Sequence, residues 1–226
     1  MPNIAPTISA QTTLAHLAAT RAGASRVFYR HRLDFCCHGQ IPLERACRER
    51  GLDVEALLAE LRAEEDRTSD FRPWETLPLN DLVAHLLERF HASHRAELPR
   101  LIAAARKVES VHADKPTCPR GLAEHLAHIE VELEDHMQKE EQILFPMVLA
   151  GHGRMAAMPL QMLELEHREH ALNLQRSRQL AHDFVPPDEA CGTWRALYLG
   201  LGELERDLMQ HIHLENNVLF PRGLRS

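Results

Sequence analysis

The sequence predicts an all-α protein, an up-down four-helix bundle preceded by a small helical domain. Three observations carry that expectation. Glycine is sparse at 10 residues and aromatic residues make up only 5% of the chain, a composition poor in strand formers. Beyond residue 80, apolar residues recur at steps of three and four along four long segments, the period of a helix with one buried face. The stretches between those segments carry Pro116, Pro119, Gly151, Gly153, Pro186 and Pro187, so successive helices fold back on one another.

In the N-terminal part, short amphipathic runs span residues 9–21, 25–33, 43–50 and 54–65. Gly51 is placed to close the third, and Asp53 to cap the fourth. Residues 67–80 hold two prolines without periodicity and read as a linker, which gives an N-terminal domain over 1–66 and a bundle over 81–226. The first bundle helix runs from after Asn80 to about Val108, with Pro99 as the point where it can kink. The second runs from near Arg120 to Leu149. The third spans Pro159 to His182, its proline in a favoured first-turn position. The fourth spans Glu189 to Leu219.

Composition narrows the function. With 44% apolar and 26% charged residues, the 226-residue chain is globular and holds one or two domains. A net charge of −7 argues against a nucleic-acid surface. No apolar run is long enough for a membrane span, and no charged-then-apolar leader opens the chain, so no membrane role is expected. The five cysteines include the adjacent pair Cys36 and Cys37 and form no CxxC motif, which points to a reducing, cytoplasmic setting. Cys47, Cys118 and Cys191 are scattered and read as structural, and His112 and Asp114 fall in a loop.

The chemistry lies in a repeat. His136-Met-Gln-Lys-Glu140-Glu-Gln-Ile-Leu-Phe-Pro146 and His211-Ile-His-Leu-Glu215-Asn-Asn-Val-Leu-Phe-Pro221 both fit H-x3-E-x3-L-F-P, 75 residues apart. His91-Ala-Ser-His94 and His167-Arg-Glu-His170 are both HxxH, 76 apart. The bundle therefore reads as two helical hairpins with one histidine layout. His128 with Glu132 is a third, accidental HxxxE pair.

Helical phase sharpens the pattern. Ile129, Leu133, His136, Glu140 and Ile143 form one stripe, and Leu201, Leu204, Leu208, His211, Glu215 and Val218 form another. Leu87, His91, His94 and Leu98 share a face, as do Leu160, Leu163, His167, His170 and Leu174. Imidazoles and carboxylates on inward faces need a partner, because burying an unpaired polar group costs on the order of 1–3 kcal/mol and a bare carboxylate more. Core histidines bonded to the two glutamates are the plain alternative, and one structural zinc is another. Six candidate ligands exceed a tetrahedral zinc site and suit two transition ions, with Glu140 and Glu215 able to bridge them. His94 and His170, a turn away, read as supporting or idle core residues.

These motifs, with the Leu-Glu-Asn-Asn-Val-Leu-Phe-Pro stretch, resemble the hemerythrin-like di-iron domain. Asp34-Phe-Cys-Cys-His-Gly39 is similar to the double-cysteine domain fused to it in the iron-sulfur cluster repair family, also called repair of iron centres. The resemblance spans about Ser9 to Arg222. It implies an oxo-bridged iron pair on His91, His136, Glu140, His167, His211 and Glu215, with both carboxylates bridging. It also implies restoration of iron-sulfur clusters under nitric oxide or peroxide stress in the cytoplasm. Apo or damaged iron-sulfur proteins are the implied partners, nitric oxide is a possible ligand, and the assembly is a monomer or homodimer.

The family usually reads Cys-Cys-Gly-Gly, and here His38 replaces the first glycine. The substitution removes a position free to take positive φ and places an imidazole beside two thiols, where its cationic form can lower a thiol pKa. Three chemistries share the site. In the first, iron is donated to an apo cluster protein, with Cys36 and Cys37 as the transfer or redox step. The second is reduction of nitric oxide to nitrous oxide at the di-iron pair, and the third is binding or sensing of dioxygen or nitric oxide.

Overall fold

The computed structural model describes residues 8–67 and 71–225, so residues 68–70 of the expected linker lie outside the described residues. The described chain is helical, and its one β feature is an isolated bridge between Thr13 and Pro42. It falls into two compact units: the N-terminal residues up to Pro78 with Ile212–Pro221, and Leu79–His211 with the residues from Arg222.

In the N-terminal unit, α1 (Leu14–Thr20), α2 (Ala24–Arg30), α3 (Leu43–Arg50) and α4 (Val54–Arg67) surround a core of Leu14, Leu17, Val27, Phe28, Leu43 and Leu61. Gly51 ends α3 in the left-handed region at φ 66°, and Asp53 Oδ1 accepts from the amides of Glu55 and Ala56 to open α4. Arg26 and Arg30 on α2 pair with Glu60 and Glu64 on α4. Within the expected linker Trp74 is buried, so residues 71–78 pack as part of this unit rather than spanning it freely.

Gly39 is required where it stands. Its carbonyl accepts from the Ala15 amide at 2.7 Å, and a Cβ there would run into the Phe35 carbonyl oxygen and lie 2.9 Å from Ala15 Cβ. Gly39→Val should therefore destabilise this unit by roughly 1–3 kcal/mol, read as a lowered thermal midpoint. An unchanged midpoint would refute the close approach.

The second unit begins with α5 (Leu79–His85), a π-helical turn (Leu86–His91) and α6 (Ala92–Val111). Next come α7 (Leu122–Lys139), a second π turn (Glu140–Leu144) and α8 (Phe145–Leu149). After a 3-10 turn at Gly153–Ala156, α9 (Ala157–Leu180) leads to α10 (Gly192–Leu214). A third π turn (Glu215–Leu219) and α11 (Phe220–Gly223) continue the last helix. These are the four helices of the bundle. The first is not interrupted at Pro99, an exposed residue inside the continuous α6. Its irregularity sits earlier, in the π turn.

The π turns correct two of the expected stripes. A π turn carries one more residue than an α turn, so positions beyond it rotate out of phase. Inside the second turn Ile143 is 49% exposed and Leu144 is buried, whereas Val218, at the equivalent place in the third, is buried as expected. Leu86 takes the fully buried place expected of Leu87, which is half-buried. The third helix has no π turn beside its histidines, and Leu160, Leu163, His167, His170 and Leu174 are all buried.

Candidate metal centre

Three of the six residues singled out by the repeat sit at π-turn boundaries. His91 closes the first, Glu140 opens the second and Glu215 opens the third. Such turns widen the backbone and aim side chains that a regular helix would point elsewhere. His136, His167 and His211 lie on regular α segments. All six are buried, at 0–1% exposure.

The six come together as two groups. One consists of His91, Glu140, His211 and Glu215, the other of His136, Glu140, His167 and Glu215, with each ligand atom within 4.8 Å of the rest of its group. His91 Nε2 lies 3.1 Å from His211 Nε2, and His136 Nε2 lies 3.0 Å from His167 Nε2. Glu140 stands between the pairs. Its Oε2 is 3.4 Å from His91 Nε2 and its Oε1 is 3.4 Å from His136 Nε2.

The outer ring nitrogens fix the tautomers of one histidine in each pair. His91 Nδ1 meets Glu141 Oε1 at 2.8 Å, and Arg95 holds that oxygen at 2.7 Å while also gripping Glu134. His136 Nδ1 meets Glu166 Oε2 at 2.9 Å, and Lys139 binds the other oxygen of Glu166 at 2.6 Å. The hydrogen bond from His136, with Lys139 behind it, lowers the Glu166 pKa to about 2 against the opposing effect of burial. An ionised carboxylate only accepts, so Nδ1 of His136 carries the proton and Nε2 turns its lone pair inward. The Arg95-held Glu141 does the same for His91. Burial, and then the neighbouring His91, push the His211 imidazole well below its ordinary pKa, so it too is neutral.

Imidazole nitrogens and carboxylate oxygens thus converge at 3.0–3.4 Å in a buried interior. Such a donor set suits a cation, and the shared carboxylates suit two. His94 and His170 are buried beside it, with rings 5.3 Å from His211 and 4.9 Å from His136, and belong to neither group. Burial lowers the His170 pKa to about 3. His128 and Glu132 form an exposed pair at 3.1 Å.

In the N-terminal unit, Asp34, Cys36 and Cys37 form a third cluster able to hold a metal. The Cys36 and Cys37 sulfurs are 3.7 Å apart, and Asp34 Oδ1 is 3.2 Å from Cys36 Sγ. His38 departs from the expectation. Its Nδ1 binds Asp34 Oδ2 at 2.6 Å rather than a sulfur, and its φ is not positive, so the turn is formed without strain there. The hydrogen bond to Cys37, burial, and the negative charge nearby push the Cys36 thiol well above its ordinary pKa, opposite to the effect expected of a histidine cation.

Asn216 and Asn217, which sequence reasoning left without a role, donate to the Cys36 carbonyl at 3.2 and 3.1 Å. His213 Nδ1 and Asn217 both bind the Phe35 carbonyl, each at 3.3 Å. Only the motif stretch that holds the two asparagines gave a signal.

Of the remaining cysteines, Cys47 and Cys118 are buried with raised pKa values, chiefly through burial. Cys191 differs from the structural reading. It is exposed just before α10, its sulfur accepts from the Trp194 amide, and His112 Nε2 lies 3.3 Å away, so its pKa is lowered. At neutral pH iodoacetamide should label Cys191 ahead of Cys47 and Cys118, and His112→Gln should slow that labelling. Equal labelling rates would contradict this assignment.

Comparison with known proteins matches this layout. The pattern described as Hemerythrin HHE cation binding domain matches residues 82–222, and that described as ScdA_N, Domain of Unknown function (DUF542), matches residues 10–65. The protein named iron-sulfur cluster repair protein YtfE from Yersinia pseudotuberculosis serotype O:1b is 48% identical over 214 residues, 95% of this chain and 97% of its own. The protein of that name from Yersinia pestis strain Pestoides F is 47% identical over the same extent. The chain therefore belongs to the hemerythrin HHE family and, within it, to the iron-sulfur cluster repair proteins.

Proposed function

We propose that this chain holds a pair of iron ions, oxo-bridged and spanned by Glu140 and Glu215, and repairs iron-sulfur clusters damaged by nitrosative or oxidative stress by donating iron. The observation that carries the reading is the sharing of both glutamates by two imidazole pairs. Two ligands at about 2.1 Å from one ion stand about 3.0 Å apart at a right angle and about 3.4 Å apart at the tetrahedral angle. The separations of 3.0–3.4 Å within the two groups span that range and fit a transition ion held by imidazole and carboxylate together. The names of the Yersinia relatives support the cluster-repair role.

When bound, the iron pair supplies the metal that a depleted cluster lacks. The chain's own residues do the rest. Glu141 and Glu166 hold His91 and His136 by their outer nitrogens, which keeps the inner nitrogens as donors. Four imidazoles with two carboxylates place little negative charge around the ions, which favours release of reduced iron over tight retention of ferric iron. Cys36 and Cys37 serve as the transfer or redox step. The domain limits proposed are 1–66, a connecting stretch at 67–80 and the bundle at 81–226, acting in the cytoplasm on apo or damaged iron-sulfur proteins. Among the described residues no helix is long and apolar enough to cross a membrane.

The test is metal analysis and Mössbauer spectroscopy of protein purified under iron-replete conditions, followed by incubation of the reduced form with an apo ferredoxin. Two irons per chain and their appearance in the acceptor are expected. Chelation should lower the thermal midpoint, because the ions bind only the folded state. Iron that stays with the protein in the presence of the acceptor would overturn donation.

A further inference from the structure

We infer that Asp34, Cys36 and Cys37 form a second metal site, with ligands distinct from the six described above, that takes one divalent iron with Asp34 as a ligand and His38 as the residue that positions it. The inference deepens the transfer role given above to the cysteine pair and rests on that reading.

Distances match such an ion. Two thiolates at about 2.3 Å from a tetrahedral centre stand about 3.8 Å apart, and a thiolate and a carboxylate oxygen about 3.6 Å. The observed separations are 3.7 Å between the sulfurs and 3.2 Å from Asp34 Oδ1 to Cys36 Sγ. The three donors are thus placed with little rearrangement needed.

The surroundings hold them there. Asp34 Oδ1 accepts from the amides of Cys36 and Cys37 at 3.2 and 2.9 Å, which ties the carboxylate to the backbone carrying both sulfurs. His38 grips the other oxygen, Oδ2, and so leaves Oδ1 on the sulfur side. Metal-binding carboxylates are commonly oriented by such an outer hydrogen bond. On the far side, Asn216, Asn217 and His213 pin the Phe35 and Cys36 carbonyls. The residue that departs from the family's glycine therefore acts on the aspartate and not on the thiols.

Three protein ligands leave a coordination position open, the mark of a site that exchanges what it holds rather than a closed structural one. Cys36 is buried while Cys37 is half-buried, so exchange occurs on the Cys37 side. Loading replaces two S–H bonds by two Fe–S bonds. Fe2+ and two thiols give the bis-thiolate and two protons released to solvent, with no change of oxidation state.

The test uses the full chain with its bundle metals in place and Co2+ as the spectroscopic probe, added anaerobically. The bundle's ligands include no sulfur, so a sulfur-to-cobalt charge-transfer band reports the thiolate site alone. Wild type should saturate at one Co2+ per chain. Cys36→Ser and Cys37→Ser should each abolish the two-sulfur band.

Asp34→Asn keeps the oxygen that accepts the two amides but loses the charge, and should weaken Co2+ binding more than about tenfold. His38→Gly should weaken it several-fold at an unchanged band position, with recovery in His38→Gln. X-ray absorption of the wild-type complex supplies a reading that needs no variant: two sulfurs with oxygen are expected. No band, equal affinity in Asp34→Asn, or a shell without oxygen would overturn the inference. An intact band together with failure to pass iron to an acceptor would count against donation and leave this site standing.

Discussion

On the proposed two-iron reading, Glu140→Leu should cut the iron content from two ions per chain to at most one and remove the magnetic coupling between them. Both oxygens of this carboxylate are committed, one towards His91 and one towards His136, so no single-oxygen substitute serves both groups. The same substitution should make the metal-free protein more stable. Glu140 has 0% exposure, so without metal its carboxylate carries a desolvation cost that leucine does not. The signature is a crossing of two thermal midpoints: the variant above wild type without metal, and below it with iron. Metal analysis and calorimetry on both forms read it. Full iron content in the variant would remove Glu140 from the centre.

Arg178→Ala should cost about 3 kcal/mol, a drop of roughly 6–12 °C in thermal midpoint. Arg178 on α9 reaches Glu205 on α10 through Nε at 2.6 Å and Nη2 at 2.5 Å, while Glu205 is 5% exposed. Removing the guanidinium leaves a carboxylate inside the bundle without its fork-shaped partner, so the desolvation cost of Glu205 stays while the attraction that offset it is lost. The double variant Arg178→Met with Glu205→Leu should recover most of the loss, because it removes both charges. A loss in the double variant as large as in the single one would mean that packing, not charge, explains the effect.

The bundle was legible because its four segments keep helical period and the repeat fixed which turn carries each histidine. The α9 stripe is right at every position, and so is that of α10 through its π turn. Leu87 and Ile143 were misplaced because a π turn leaves no mark in residue type; it is a compromise reached by packing around the histidines and glutamates. Glu141 and Glu166 escaped notice for another reason. Each adjoins a singled-out residue, Glu140 or His167, and so reads as a solvent-side position. Their part is set by a different helix, where His91 and His136 present Nδ1. Cys191 and His112 are 79 residues apart, and only the fold brings them to 3.3 Å.

The π turn at Leu86–His91 has no counterpart in α9, and this bears on how the duplicated hairpins are compared. An ungapped overlay pairs His91 with His167 and, carried upstream, sets half-buried Leu87 against fully packed Leu163. Pairing by environment sets Leu86 against Leu163, an offset of 77 rather than 76. An overlay of the two hairpins therefore needs a one-residue gap immediately ahead of His91, or the apolar stripe of one copy is set against solvent-facing positions of the other.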